Sequence, residues 1–140
     1  MNFLLDTCVF NEKDLLLELR KRDYNKIKLY INSVIYLELG YIYFVRGKWD
    51  LYLKIIHELG INNKNITKSV AENAIKAAIL FKDRDKGASY YFRDCLIGST
   101  AEIFDLILIT NNKNDFFWLG NELLLDPDQA IKKLDLNKLK

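Results

Sequence analysis

Near the start of the chain, an uninterrupted apolar run, Phe3-Leu4-Leu5, stops on a carboxylate and a hydroxyl, Asp6 and Thr7. The run reads as a buried strand. In an open parallel sheet, functional groups gather just beyond the carboxyl ends of the strands. A carboxylate at such a place is costly to bury alone and is held easily once a cation sits on it. Asp6 therefore sets the question put to the rest of the chain, which is whether it supplies partners for that acid.

The remaining pattern alternates strands with helices. Glu12 to Arg22 has helical periodicity, with Leu15, Leu16 and Leu19 on one stripe and charges that complement the helix dipole. Lys28 to Ile31 reads as a second strand, and Asn32-Ser33 offers an N-cap for an apolar helix over 34–45. Gly47 separates this from a helix carrying Trp49, Tyr52, Leu53, Ile56 and Leu59, closed by Gly60. The Asn-rich stretch 61–66 leaves room for a short edge strand. Ser69 is the expected cap of the next helix, with Ala74, Ile75, Ala78 and Ile79 inward. After the charged loop 82–87, a helix is expected from about Ser89 to Phe104. Leu106 to Ile109 is a fully apolar run suited to a central strand. Leu123 to Leu125 is a last strand candidate, and Asp126-Pro127 starts a C-terminal helix with an acid at the cap and proline at the first position. The pattern predicts a three-layer α/β/α sandwich around a mostly parallel sheet of four or five strands, as one domain spanning 1–140.

Composition excludes several classes. The chain has 140 residues, 50% hydrophobic and 29% charged, typical of a folded globular domain. No apolar run approaches the ~20 residues of a membrane span. No basic N-region leads into an apolar core at the start, so the expected location is the cytoplasm. Two cysteines and one histidine supply neither a disulfide framework nor a Cys/His zinc set. Cys8 and Cys95 read as small packing residues. A net charge of +2 does not by itself announce nucleic acid. The clusters Arg20-Lys21-Arg22 and Lys132-Lys133 read as solvated helix ends.

Besides Asp6, three acids have unusual surroundings. Glu38 lies among Val34, Ile35, Tyr41 and Ile42 at helical spacing, where a glutamate must be paired, protonated or metal-bound. Asp94 sits near a helix start in Arg93-Asp94-Cys95-Leu96-Ile97-Gly98, and Asp115 follows the central strand candidate by a short turn. Singly, each has an ordinary explanation: a lysine pair for Glu38, the helix dipole for Asp94, a turn for Asp115. Jointly, they fall at strand ends and helix starts that share one edge of an α/β sheet. Convergent carboxylates without histidine or thiolate select a hard cation, Mg²⁺ or Mn²⁺, and without one they repel. The matching chemistry is metal-assisted attack of water on a phosphodiester.

Leu4-Leu5-Asp6-Thr7-Cys8-Val9, the isolated Glu38, Asp94 to Ala101 and Thr110 to Phe116 together resemble the four motifs of the PIN (PilT N-terminal) domain family, most closely its VapC-type toxins. The resemblance spans essentially the whole chain. It implies a metal-dependent endoribonuclease in which Asp6, Glu38, Asp94 and Asp115 hold Mg²⁺ or Mn²⁺, with Thr110 and Asn112 as auxiliary polar positions. It further implies a sheet of order 3-2-1-4-5, a homodimer, and a small antitoxin partner that blocks the site. Cleavage would leave a 5′-phosphate and a 3′-hydroxyl. Gly98-Ser99 stands where the family more often has two alanines. Arg84, Lys86, Tyr90 and Arg93 precede Asp94 and are candidate RNA contacts through phosphate pairing and stacking. The alternative is a module that keeps the PIN fold for binding or assembly without catalysis. A haloacid-dehalogenase-like phosphatase also opens with a strand and an aspartate, but it needs a second aspartate two residues on, where this chain has Cys8.

Overall fold

The computed structural model describes residues 1–138. Five parallel strands form one sheet: β1 (Asn2–Leu5), β2 (Lys28–Asn32), β3 (Ile61–Lys64), β4 (Ile107–Ile109) and β5 (Leu124–Leu125), in the order β3-β2-β1-β4-β5. The helices are α1 (Lys13–Arg20), α2 (Ser33–Val45), α3 (Trp49–Glu58), α4 (Lys68–Ile79), α5 (Phe92–Phe104) and α6 (Pro127–Lys138). α1 packs with α6 on one face of the sheet, and α4 packs with α5, itself against α2, on the other. The three-layer α/β/α architecture and the strand order are those expected.

The central strands carry the core because both of their faces are covered. Phe3, Leu4, Leu5, Leu108 and Ile109 are fully buried, and the register sets Phe3, Leu4 and Leu5 beside Ile107, Leu108 and Ile109. The chain adds β2 and β3 on one side of β1, then crosses to place β4 on the other. β1 and β4 therefore flank the point where the winding direction reverses, which is where open sheets leave a crevice at their carboxyl ends. Asp6 ends β1 there, and Thr110 ends β4.

Several local expectations hold. The Asn32 side chain accepts from the Ile35 backbone N–H at 3.0 Å, starting α2. Its amide also donates to Thr100 Oγ1 at 3.1 Å, which ties the start of α2 to the middle of α5. Asp126 and Gln129 form a reciprocal cap around Pro127, at 2.8 and 2.9 Å. The edge strand β3 exists, so the sheet has five strands.

Other expectations are corrected. The cap of α4 is Thr67, whose hydroxyl accepts from the Val70 N–H at 3.2 Å, and not Ser69. Ile75 and Ile79 are 63% and 57% exposed, and the inward stripe is Val70, Ala74, Ala77 and Ala78. Small residues fill that stripe because α4 lies close against α5. The helix expected from Ser89 begins as a 3-10 turn over Ala88–Tyr91 and becomes α-helical only at Phe92. The apolar stretch of α2 and α3 divides. Tyr52 is buried against Tyr36, Tyr43 and Trp49, whereas Leu37, Tyr41, Phe44 and Val45 face outward.

Arg22 is the clearest correction to the reading of solvated basic ends. It is buried, and its guanidinium donates to the carbonyls of Ile27 at 2.8 Å, Leu19 at 2.9 Å and Leu59 at 2.7 Å. One side chain thus closes the ends of α1 and α3 and the approach to β2. Its face rests on the Tyr24 ring at 3.8 Å. Arg22→Met is expected to leave the Ile27 and Leu59 carbonyls without their side-chain donor, Leu19 keeping the residue-22 backbone N–H, and to lower the unfolding free energy by roughly 3 kcal/mol in urea denaturation.

Gly98 faces the Trp118 indole so closely that an added Cβ would overlap the ring. Alanine would gain about 1 kcal/mol in helix propensity, against about 1–3 kcal/mol for overpacking. Gly98→Ala is therefore expected to give a net loss of about 1 kcal/mol by the same measurement, even though the PIN-family pattern favours alanine here.

Candidate metal and phosphodiester site

The site is built from β1 outward. Asp6 is 1% exposed. Its Oδ1 accepts from the Thr7 backbone N–H at 2.7 Å, because Asp6 caps the 3-10 turn Thr7–Asn11. Its Oδ2 accepts from Thr110 Oγ1 at 2.8 Å. Thr110 is fully buried, is anchored by its own N–H to the Leu125 carbonyl at 3.0 Å, and accepts from the Asn112 N–H at 3.0 Å. The end of β4 thereby fixes the carboxylate at the end of β1.

The surrounding helices bring the other acids in. Glu38, on the α2 face toward the sheet edge, accepts from Thr7 Oγ1 at 2.9 Å through Oε1. Asp94 lies in the first turn of α5. Between these acids stands Arg93. Its Nε donates to Glu38 Oε2 at 2.6 Å, one terminal nitrogen donates to Asp94 Oδ1 at 2.7 Å, and the other donates to Asp6 Oδ1 at 2.8 Å. The same nitrogen that reaches Asp6 also lies 3.2 Å from Thr7 Oγ1. Each nitrogen of the fork therefore faces a different carboxylate.

The charges interact accordingly. Burial alone would lower the Arg93 pKa, but its hydrogen bond to Glu38 and the charges of Asp6 and Glu38 raise it above the ordinary guanidinium value. The Asp94 carboxyl is pushed up from its usual value. Burial is the main cause, Arg93 opposes it, and the negative charges of Asp115 and Asp6 add to it. Asp115 sits in the 3-10 turn Lys113–Phe116 and shares a cavity of about 500 Å³ with Lys86, Tyr90, Tyr91, Arg93, Asp94 and Asn112. Asp6, Glu38 and Asp94 thus meet at one guanidinium, and Asp115 joins from across the cavity.

Of the candidate RNA contacts, Lys86 and Tyr90 line this cavity, with the Lys86 ammonium 4.3 Å from the Tyr90 ring centre. Arg84 stands instead against the faces of Phe81, Tyr91 and Phe117, 5.1 to 5.6 Å from the ring centres, and is not in the cavity lining. Two roles were missed in the sequence. Thr7 is a hydroxyl bridge to Glu38, and Arg93 is the hub of the acids. The signal for Arg93 was its position next to Asp94 in a helix start otherwise built to bury an acid.

Both cysteines are held toward the thiol form. Burial pushes the Cys95 thiol up to about 11, with Asp94 adding to it, and burial likewise raises Cys8. Among the described residues no helix is long and apolar enough to cross a membrane.

The donor set is carboxylate oxygen throughout, with Thr110 steadying one ligand, and in kind it fits Mg²⁺ or Mn²⁺. Its spacing is set by Arg93. Among the described residues, no three acidic, thiol or imidazole side chains stand close enough together to enclose an ion.

The strand order, the covered sheet and the acids at the winding reversal define a PIN-like α/β/α fold. Solved structures that share it include a chain of a toxin–antitoxin complex and chains of two VapBC assemblies. A chain of the VapBC-1 complex from nontypeable Haemophilus influenzae superposes with a TM-score of 0.68 at 18% identity, over 91% of this chain and 99% of that one. A chain of a toxin–antitoxin complex from Klebsiella pneumoniae gives 0.61 at 20% identity, over 89% and 97%. A chain of VapBC2 from Rickettsia felis, bound to a DNA fragment from their promoter, gives 0.61 at 19% identity, over 90% and 98%. At these identities the likeness establishes the fold. No protein-family model and no curated protein sequence matches the chain.

The raised Asp94 pKa fixes the sign of a stability effect. A carboxyl whose folded pKa exceeds its unfolded value favours folding when protonated, so ionising it costs stability as the pH climbs from about the unfolded value, 3.8, through the folded one. Metal-free Asp94→Asn is therefore expected to match the parent in thermal midpoint at strongly acid pH. It should exceed the parent increasingly as pH rises toward neutrality, which a pH series of thermal melts would check.

Proposed function

We propose that this protein is a divalent-metal-dependent endoribonuclease and the toxin of a type II toxin–antitoxin pair. The carrying observation is the meeting of Asp6, Glu38 and Asp94 at the carboxyl-end crevice of the sheet, with Asp115 across the adjoining cavity. The toxin–antitoxin structures that share the fold support the biological setting.

Asp6, Glu38, Asp94 and Asp115 are the residues that would hold Mg²⁺ or Mn²⁺. Such an ion, when bound, supplies Lewis acidity toward a phosphate oxygen and makes water a stronger nucleophile at neutral pH. The chain's own groups do the positioning. Thr110 and the Thr7 N–H fix the Asp6 carboxylate so that it does not rotate when its partner changes. Asn112 presents a polar edge to the cavity. Lys86 offers charge to a backbone phosphate, and the exposed Tyr90 ring offers a stacking face to an unpaired base. Hydrolysis leaves a 5′-phosphate and a 3′-hydroxyl on RNA.

The outward-facing Leu37, Tyr41, Phe44 and Val45 on α2 form an apolar surface of the kind that a protein partner covers. It suits the antitoxin or the second subunit of a homodimer. The proposed setting is the cytoplasm, where an RNA substrate and an antitoxin would both be met.

One observation favours the second reading, an inert PIN-fold module. Arg93 already satisfies three of the acids. Calorimetric titration with Mn²⁺ separates the two readings. The enzyme requires binding that Asp6→Asn weakens, and the inert module shows none. With total RNA in Mg²⁺, the parent is expected to cut at defined sites, and chelator should abolish the cutting. Asp6→Asn, Asp94→Asn and Asp115→Asn should each reduce it by about a hundredfold or more while leaving the circular dichroism unchanged. Undiminished cleavage by Asp94→Asn would sink the assignment.

A further inference from the structure

A divalent ion and the Arg93 guanidinium cannot share the site as it stands. Oxygens bound to Mg²⁺ all lie about 2.0–2.1 Å from one centre. The oxygens of Glu38, Asp94 and Asp6 are instead spread around a planar fork, each 2.6 to 2.8 Å from a different nitrogen. A fork that keeps three carboxylates apart in this way also explains why no three of them enclose an ion. The guanidinium stands where the acids converge.

Arg93 has room to leave. Its side chain is 34% exposed, and it lines the cavity of about 500 Å³ that also contains Lys86 and Tyr90. Its backbone lies in the first turn of α5, at the wall of that cavity.

We propose that Arg93 is an internal latch. In the ion-free protein its guanidinium holds Asp6, Glu38 and Asp94 together, and an incoming divalent ion must displace it into the adjoining cavity, where it joins Lys86 as a second cation facing a substrate phosphate. The inference rests on the metal-site reading above and adds that ion loading and exposure of Arg93 are one event. The latch neutralises charges that would repel one another, and it competes with the ion for the same oxygens. Removing it has opposite effects on the two states. The ion-free protein loses its counter-charge, while the ion no longer has a competitor.

The full chain is titrated calorimetrically with Mn²⁺ as the parent and as Arg93→Ala, and thermal midpoints are recorded with and without saturating Mn²⁺. Arg93→Ala is expected to bind Mn²⁺ more tightly, on the order of 5- to 150-fold. It is also expected to melt lower than the parent without Mn²⁺ and to gain more from it. Equal or weaker binding by Arg93→Ala overturns the latch. A second measurement uses the parent alone, so it survives any folding failure of the variant. Mg²⁺ is added while the side-chain Nε–H resonance of Arg93 is followed by NMR. That resonance is expected to move to a solvent-exposed position as the site saturates. A stationary Arg93 signal, with the Thr7 and Asp94 amides shifting, overturns the latch and leaves the metal site standing. No heat from either protein and no Mg²⁺-induced shift overturns the metal reading and the latch with it.

Discussion

The structure depends on how one buried carboxylate is supplied with hydrogen-bond donors. Asp6 is almost wholly withdrawn from water, where an unpaired carboxylate would be strongly disfavoured. Four donors answer it: the Thr7 N–H at the start of a 3-10 turn, the Cys8 thiol in the same turn, the Thr110 hydroxyl at the end of β4, and the Arg93 guanidinium from α5. They come from three separate parts of the chain. The sheet order therefore matters to the chemistry, because only the crossover that sets β4 against β1 brings Thr110 to Asp6. The start of α2 is likewise tied to the middle of α5 by Asn32 and Thr100, and Glu38 and Arg93 meet between the same two helices.

Much of this was legible in the sequence where one local rule decided the outcome. The β1 run and its terminal acid, the Asn32 cap, the apolar β4 run and the Asp126-Pro127 helix start all follow from burial or capping alone. The resemblance in motif order named four acids, of which Asp6, Glu38 and Asp94 reach one guanidinium. β3 was only faintly visible, because an edge strand needs few buried residues. Ile61 is buried, while Asn62 and Asn63 point to solvent and the pairing comes from the β2 backbone.

What stayed hidden depended on distance between helices and on long side chains. In α4 the buried stripe is alanine and the isoleucines face out, since its closeness to α5 leaves room only for small groups near Cys95. Periodicity marks Ala74 and Ile75 as equally apolar and cannot tell which side is crowded. Arg22 and Arg93 were hidden for another reason. A sequence reading places an arginine by its backbone, but the charge acts at the end of a flexible stem. Arg22 spends its charge on three backbone carbonyls and Arg93 on three carboxylates. Arg22, read as part of a solvated helix end, and Arg93, read as a candidate RNA contact, are each a hub.

The two hubs differ in what could replace them. Backbone carbonyls carry only partial charge and are poor ligands for a lone divalent ion, so buried Arg22 acts as a structural tie. The carboxylates around Arg93 carry full charges and belong to the ligand class that hard divalent ions prefer. A lysine there would be a compact point charge able to satisfy one or two acids well, whereas the planar fork meets Asp6, Glu38 and Asp94 through separate nitrogens. The fork therefore gathers the acids without drawing them tightly onto a common point. Gathering them offsets the repulsion among three carboxylates. Leaving them spread keeps their oxygens available to a cation of higher charge density. That combination makes Arg93, more than any single acid, the residue on which the state of the site turns.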